Sequence, residues 1–372
     1  MKIALVHDYL VQYGGAERVL EAFSEIWPQA PIYTLLYDRD SVHGRFDKKI
    51  IRTSFLQKIP FAKKHHRIFP PVMMLAIEQF NLDYYDVVLS DSSSFAKNII
   101  TTPNTLHISY CHTPMRYGWD DCQYYTQEYS FPNIVKMISP ILMNYIRMWD
   151  WQATNGVDKF IANSKFVQGR IKKYYNRKSI VINPPVEIGE FYITPKEKIE
   201  DYFLLVGRMM KYKKMDLVIR AFNKLRLPLK VVGRGVEFKN LQKIAGPTIE
   251  FLGRVSDEEL KQIYSQAQAF IFPQEEDFGI VAIEALASGR PVIAYRAGDV
   301  EENIENEKTG VFFNEQTEES VIKAIEKFQT IKFDSEYIRK QALRFEKEQF
   351  KKNIKKAVEE AINNQQKMTN NR

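Results

Sequence analysis

Glu276 and Glu284 are separated by seven residues in the stretch that runs from Phe270 to Pro291. An apolar run, Phe270-Ile271-Phe272, ends in Pro273, and an acidic turn, Glu276-Asp277-Phe278-Gly279, follows it. Ile280 to Ala287 reads as a small-residue helix stopped by Gly289, and Pro291 leads the next apolar strand, Val292-Ile293-Ala294. One carboxylate then stands at a strand's carboxyl end and the other inside the first turns of a helix. Open α/β sheets bind ligands at that place, and a helix N-terminus there attracts phosphate. Carboxylates accept hydrogen bonds from sugar hydroxyls, so the pair suggests a ligand with many hydroxyls. The same spacing also describes a strand–helix unit with two solvated glutamates, and spacing alone leaves both readings open.

Other reactive groups are sparse. Cys111 and Cys122 are the two cysteines, too few for a disulfide scaffold or a zinc site. Cys111 precedes His112, but it ends an apolar run and reads as a small buried hydrophobe. Asp38-Arg39-Asp40 has the form of a metal-binding D-x-D, in an ordinary loop context, and no catalytic metal is expected there.

The 372 residues suggest two domains, and a hydrophobic content of 45% supports ordinary globular cores. No apolar stretch reaches the roughly 18 residues of a membrane span. The opening Met1 to Val6 meets His7-Asp8 too early for a signal peptide, and a cytoplasmic location is expected. Net charge is +7, with eight Lys/Arg from Arg45 to Arg67 against one acid, Asp47. Phe55, Leu56, Ile59 and Phe61 are interleaved, and an apolar run to Leu75 follows. Basic residues mixed with apolar ones suit an anionic membrane surface. A nucleic-acid partner is disfavoured because no nucleic-acid motif is present, and a solvated basic face is the bland alternative.

The elements that must position these groups alternate. In the first half, strands are expected at Ile3–Val6, Val87–Leu89, His107–Cys111 and Lys159–Ala162, with helices at Ala16–Ile26, Pro140–Thr154 and after Asn163-Ser164. Asn183-Pro184-Pro185-Val186 reads as an interdomain crossing. The second half gives six strands with helices between them, which implies a parallel sheet covered on both faces. Ser256 to Glu259 has the S-x-x-E capping-box form, and the tail from Tyr337 to Gln366 reads as helical, charged and amphipathic.

With these motifs in place, the chain resembles the retaining glycosyltransferases of family 4. The resemblance rests on Gly207-Arg208 with Lys213, Glu276-x7-Glu284 and Ala285-x-Ala287-x-Gly289-x-Pro291. In the first half it rests on His7-Asp8-Tyr9, Gly14-Gly15-Ala16-Glu17-Arg18 and the string from Cys111 to Tyr117 with Trp119-Asp120. That last string is similar to bacterial mannosyltransferases that build O-antigens and other surface polysaccharides. The resemblance implies the GT-B fold, an α/β class with two doubly wound Rossmann-like domains facing a central cleft. Residues 1–185 would form the acceptor-side domain, with a helix at about 346–366 packing back onto it, and 186–345 the nucleotide-sugar domain.

Further implications concern the site. Arg208 and Lys213 would stabilise the departing diphosphate, Glu276 would face the donor sugar's hydroxyls, and Glu284 would bind the ribose. His112 would lie near the anomeric carbon. Backbone N–H groups at Gly14-Gly15 and at Phe278-Gly279 would add phosphate donors. Asp257 reads equally as a contact to a guanine base and as part of the capping box, and Asp120 and Asp150 are acceptor-side candidates. Gly298-Asp299 stands where the family often has two glycines. The expected activity is retaining transfer of mannose from GDP-mannose to a lipid-diphosphate-linked glycan, at the inner membrane face and without metal or cofactor. A UDP-sugar donor is the alternative within the class. An epimerase-like enzyme or a non-catalytic membrane-associated binding protein is the alternative outside it.

Overall fold

The computed structural model describes residues 1–65, 70–120 and 133–370, and the chain divides into two compact units. Unit 1 comprises Met1–Pro185 together with the chain from Phe350 on, and unit 2 comprises Val186–Gln349.

Among the described residues, unit 1 holds a seven-stranded parallel sheet. Its strands are β1 (Ile3–His7), β2 (Ile32–Thr34), β3 (Ile51–Thr53), β4 (Val87–Ser92), β5 (Leu106–Cys111), β6 (Lys159–Ala162) and β7 (Ser179–Val181), in the order β3-β2-β1-β4-β5-β6-β7. Its helices are α1 (Gly15–Ile26), α2 (Ala62–His65), α3 (Pro70–Glu78), α4 (Asn133–Ala153) and α5 (Lys165–Tyr175). The central strands β1, β4 and β5 are buried along their whole length. Burial on both faces is what a covered parallel sheet imposes, and here it also takes in the polar residues Ser90, Asp91, Ser92, His107 and Ser109. The sequence reading missed β2, β3 and β7. Each has three residues, too few to carry a period.

Unit 2 holds a six-stranded parallel sheet, β10-β9-β8-β11-β12-β13. The strands are β8 (Phe203–Val206), β9 (Leu229–Val232), β10 (Ile249–Gly253), β11 (Phe270–Phe272), β12 (Val292–Tyr295) and β13 (Gly310–Phe313). Helices α6 (Met215–Leu225), α7 (Phe238–Ile244), α8 (Asp257–Gln266), α9 (Ile280–Ala287), α10 (Val300–Asn303), α11 (Glu318–Gln329) and α12 (Ser335–Ala342) alternate with them or follow.

The helical tail consists of two helices. After α12 a 3₁₀ turn, Leu343–Phe345, interrupts the run before α13 (Lys347–Asn370). Glu346 is extended and bridges to Val186, whose N–H donates to the Phe345 carbonyl at 2.9 Å. Helical periodicity survives such a one-residue break, so the pattern conceals it. On α13, Phe350, Ile354, Ala357, Val358 and Ala361 recur on one face and are buried in the core of unit 1. Phe350 stacks on Phe23 with ring centroids 5.8 Å apart and meets Tyr110 edge-on at 5.9 Å.

Phe350→Ala should therefore destabilise unit 1 by about 3–5 kcal/mol, read as an earlier denaturant transition for a probe in unit 1 and an unmoved one for unit 2. Coincident, unshifted transitions would show that α13 contributes little to the core.

Candidate functional site

In unit 2 the chemistry gathers at the carboxyl ends of the neighbouring strands β8, β11 and β12. The loop after β8 carries Arg208, which is exposed, and leads into a 3₁₀ turn, Lys211–Lys213. Its path is set by glycines: a Cβ at Gly233 (φ +125°) would lie 2.0 Å from the Gly207 carbonyl oxygen. Lys213 Nζ forms an ion pair with Glu276 Oε1, and both side chains are largely buried. Glu276 is fixed through its backbone. It bridges to Gly298 (φ +76°), where an added Cβ would stand 2.4 Å from the Glu276 carbonyl, and Asp299 N–H donates to that carbonyl at 3.2 Å. Phe278 packs edge-on against Phe345, and Gly279 lies so close to Phe272 that a Cβ would come within 2.7 Å of its ring.

Asp299 is 1% exposed. Its Oδ2 accepts from Gly279 N–H and from the Asn303 amide, each at 2.9 Å, while Oδ1 has no hydrogen-bond partner. Burial pushes its carboxyl up to about 7, the nearby Glu276 adds to the rise, and the Gly279 and Asn303 bonds hold it down.

In unit 1 a chain of four ionisable groups spans α1, β1, β4 and the residue after β5. His112 Nε2 lies 2.5 Å from Asp91 Oδ1, and Asp91 Oδ2 accepts from His7 Nδ1 at 2.9 Å. His7 Nε2 is 3.7 Å from Glu17 Oε1. His7, Asp91 and Glu17 are buried, and His112 is 12% exposed at its side chain. Burial alone would lower the His7 imidazole, but the bonds and charges of Asp91 and Glu17 outweigh it and raise it to about 10. His112 and His7 likewise hold the Asp91 carboxyl below its usual range against burial. With Nε2–H donating to Asp91, Nδ1 is the ring nitrogen that remains for another partner. Asn163 fixes the backbone here by donating to the His112 carbonyl at 2.9 Å.

Residues 190–345 match the family model described as Glycosyl transferases group 1, and that segment lies within unit 2. An uncharacterized glycosyltransferase of Methanocaldococcus jannaschii is 30% identical over 155 residues, 40% of this chain and 43% of the relative. The O-antigen chain mannosyltransferase RfbU of Salmonella typhimurium is 37% identical over 139 residues, 34% of this chain and 39% of the relative. The chain thus spans less than half the length of these curated relatives. Among solved structures, Anabaena HepE in complex with UDP superposes with a TM-score of 0.72 at 17% identity, covering 97% of this chain and 100% of that one. The fold is GT-B.

Within this GT-B chain several residues differ from the sequence reading. Asp150 is fully buried on α4 and binds no open surface: Trp119 Nε1–H and Tyr175 O–H donate to its Oδ2 at 2.9 and 2.7 Å, and Lys97 Nζ lies 2.6 Å from Oδ1. It is a structural node. Asp120 is exposed but engaged by Arg170 and Tyr174, and Arg170 also donates to Thr113 Oγ1 at 2.7 Å. The N–H of Gly14 donates to Glu17 at 2.8 Å and that of Gly279 to Asp299, so neither is an idle phosphate donor. Gly15 opens α1. Glu284 is 4% exposed and accepts from Tyr264 O–H at 3.2 Å. Asp257 is exposed in the first turn of α8, and the capping box joins Ser256 to Glu259 without it. Asp38 meets Ser41 and Lys63, and Arg39 pairs with Asp47.

Sequence reasoning missed Asp91, His7 with Glu17, and Asp299. A signal existed for the first: Asp91 ends the run Val87-Val88-Leu89-Ser90, and a carboxylate there must emerge at the sheet's carboxyl edge. Asp8 is explained by its carboxylate, which accepts four backbone N–H groups from Ser93 to Ala96 at 2.6–2.9 Å.

Two outcomes follow for the GT-B chain. His7 is raised in the folded state, so its pairing stabilises fully below pH 6.5 and is lost progressively as pH rises toward about 10. Urea unfolding across that window should show falling stability that is shallower in His7→Gln; parallel slopes would contradict the buried cation. Asp150→Ala leaves Lys97 buried and unpaired, which should cost about 3–5 kcal/mol in the same unfolding measurement. A change below about 1 kcal/mol would return Asp150 to the acceptor-side candidates.

Proposed function

We propose that this chain is a glycosyltransferase that moves a hexose from a nucleotide-sugar to a lipid-diphosphate-linked glycan. One observation carries the reading: Lys213, Glu276 and the Gly298-Asp299 turn converge at the strand ends of the segment that matches the glycosyl transferases group 1 model, with Arg208 on the adjoining loop. A departing diphosphate needs fixed positive charge, which Arg208 and Lys213 supply. Fixed charges of this kind are often the largest catalytic contribution. Lys213 held by Glu276 is pre-oriented rather than searching solvent, and Glu276 keeps its second oxygen for the donor sugar's hydroxyls. Glu284 would serve the ribose.

In the reaction, the bond from the anomeric carbon to the β-phosphate oxygen breaks and a bond to the acceptor hydroxyl forms on the same face. The acceptor's proton passes to the departing phosphate, so neither a separate carboxylate base nor a metal is required. His112 meets the reacting sugar, and Asp91 and His7 position its ring. GDP-mannose is the favoured donor, supported by the similarity to an O-antigen chain mannosyltransferase. A UDP-sugar is the second reading, supported by the UDP complex of the structurally similar HepE. The acceptor's lipid places the chain at the inner membrane face, reached through the basic and apolar residues 45–75. Lys64 and Arg67 of that set lie outside the described side chains.

Arg208→Ala and Lys213→Ala should each lower turnover roughly 100-fold, with Glu276→Gln damaging transfer more than nucleotide binding. His112→Ala should leave nucleotide affinity unchanged while lowering transfer, and EDTA should leave activity intact. A thermal-shift screen of GDP-, UDP- and ADP-sugars selects the donor, since a ligand at 100 times its Kd stabilises by about 2.7 kcal/mol. Near-wild-type turnover in both cation variants, with folding intact, would sink the diphosphate assignment. Nucleotide-sugar binding without transfer to any lipid-linked acceptor would favour the epimerase-like or non-catalytic alternatives.

A further inference from the structure

Helix α4 presents an outward face that a freely solvated helix would not have. Among its described side chains the exposed ones are Met137, Pro140, Ile141, Asn144, Tyr145, Met148, Trp151 and Gln152, and none of these is charged. Met137 and Ile141 are exposed by 72% and 73%, and Tyr145, Met148 and Trp151 by at least half. Spacings of three and four residues place them in one stripe, roughly 21 Å long at 1.5 Å per residue. The opposite face, with Met143, Ile146 and Asp150, is buried in unit 1. A contiguous apolar patch of this extent marks an interaction surface.

The stripe continues into a groove of about 540 Å³ between α3 and α4, lined by Pro71, Leu75, Ile100, Tyr145, Trp149 and Gln152. Leu75 and Ile100 are themselves more than half exposed. Beside α3 the charge changes. The 3₁₀ turn Phe55–Lys58 packs against both α3 and α2, and the segment it opens exposes Lys58 and Lys63 beside Phe55 and Phe61, the last 76% exposed. An uncharged apolar stripe carrying Tyr and Trp, flanked by cations interleaved with aromatics, matches a bilayer with anionic headgroups: rings and aliphatic groups enter the interface and lysines meet phosphates. No helix among the described residues is long and apolar enough to cross a membrane, and one buried face requires α4 to lie along the surface.

We propose that the outward face of α4, with the α3–α4 groove and the Lys58/Lys63 segment, is a docking surface for an anionic lipid bilayer. The 45–75 segment keeps its part in this surface, and α4 adds a further apolar contact to it. Docking needs no donor or acceptor, so it stands or falls separately from the reading of the reaction.

The test is co-sedimentation of the full chain with vesicles of phosphatidylcholine alone or mixed with phosphatidylglycerol. The wild type should partition onto the mixed vesicles, less so as salt screens the charges. Ile141→Asn with Met148→Asn and Trp151→Asn should lower the partition roughly tenfold or more, with unchanged melting and unchanged affinity for free nucleotide. Lys58→Glu with Lys63→Glu should also lower it and flatten its salt dependence. Undiminished vesicle binding by the triple variant would overturn the proposal. So would a wild type that ignores vesicles and sediments as a dimer that the triple variant dissociates, since the face would then belong to a second copy.

Discussion

In a parallel sheet every strand runs the same way, so all carboxyl ends reach one edge, and in both units of this chain that edge carries the charged groups. Register does the rest. His7 pairs with Asp91 across β1 and β4, and Asp91 pairs with Tyr110 across β4 and β5. His112, two residues beyond Tyr110, returns to the same face of the sheet, and its N–H donates to Ser92 at 2.9 Å. A slip of one residue in any of the three strands would turn a member of the chain to the opposite face. Unit 2 repeats the principle with β8, β11 and β12, where Lys213, Glu276 and Asp299 follow adjacent strand ends.

Burial sets the electrostatic character of these edges. A carboxylate taken from water must be compensated or must give up its charge. Asp91 is compensated, by an imidazole on each side, and its carboxyl is held below the usual range. Asp299 is compensated on one oxygen only and holds its proton toward neutrality. Lys97 and Asp150 answer the same demand away from the strand ends, with two aromatic donors completing the group. The difference between a carboxylate that organises a site and one that only supports the fold lies in what surrounds it, which residue type alone does not disclose.

That limit explains what was legible beforehand. Strands of four or more residues, the second-half alternation and the Ser256 cap follow from local pattern, and the structure has them. The Lys213–Glu276 contact was accessible only as two motifs, because 63 residues separate its partners. Asp91 and Asp299 lay in runs whose significance depends on strand order, a non-local property. Asp150 misled because an aspartate beside Trp149 and Trp151 looks solvent-facing on a helix with an apolar outer stripe. Here the exposed face is the apolar one and the charge points inward.

The crossing of the chain back into unit 1 has a consequence for how the molecule is made. Unit 2 is one continuous segment, Val186–Gln349, whereas unit 1 is assembled from the chain's first 185 residues and the stretch after Gln349. Phe23 and Tyr110 receive their aromatic partner Phe350 only after all of unit 2 has been synthesised. During translation the N-terminal sheet must therefore emerge, and wait, with part of its core uncovered, while the later unit has every contact it needs within reach. Loop closure over so long a separation is slow, and exposed apolar surface in a waiting intermediate is what chaperones recognise. The order of completion in this chain runs opposite to the order of synthesis.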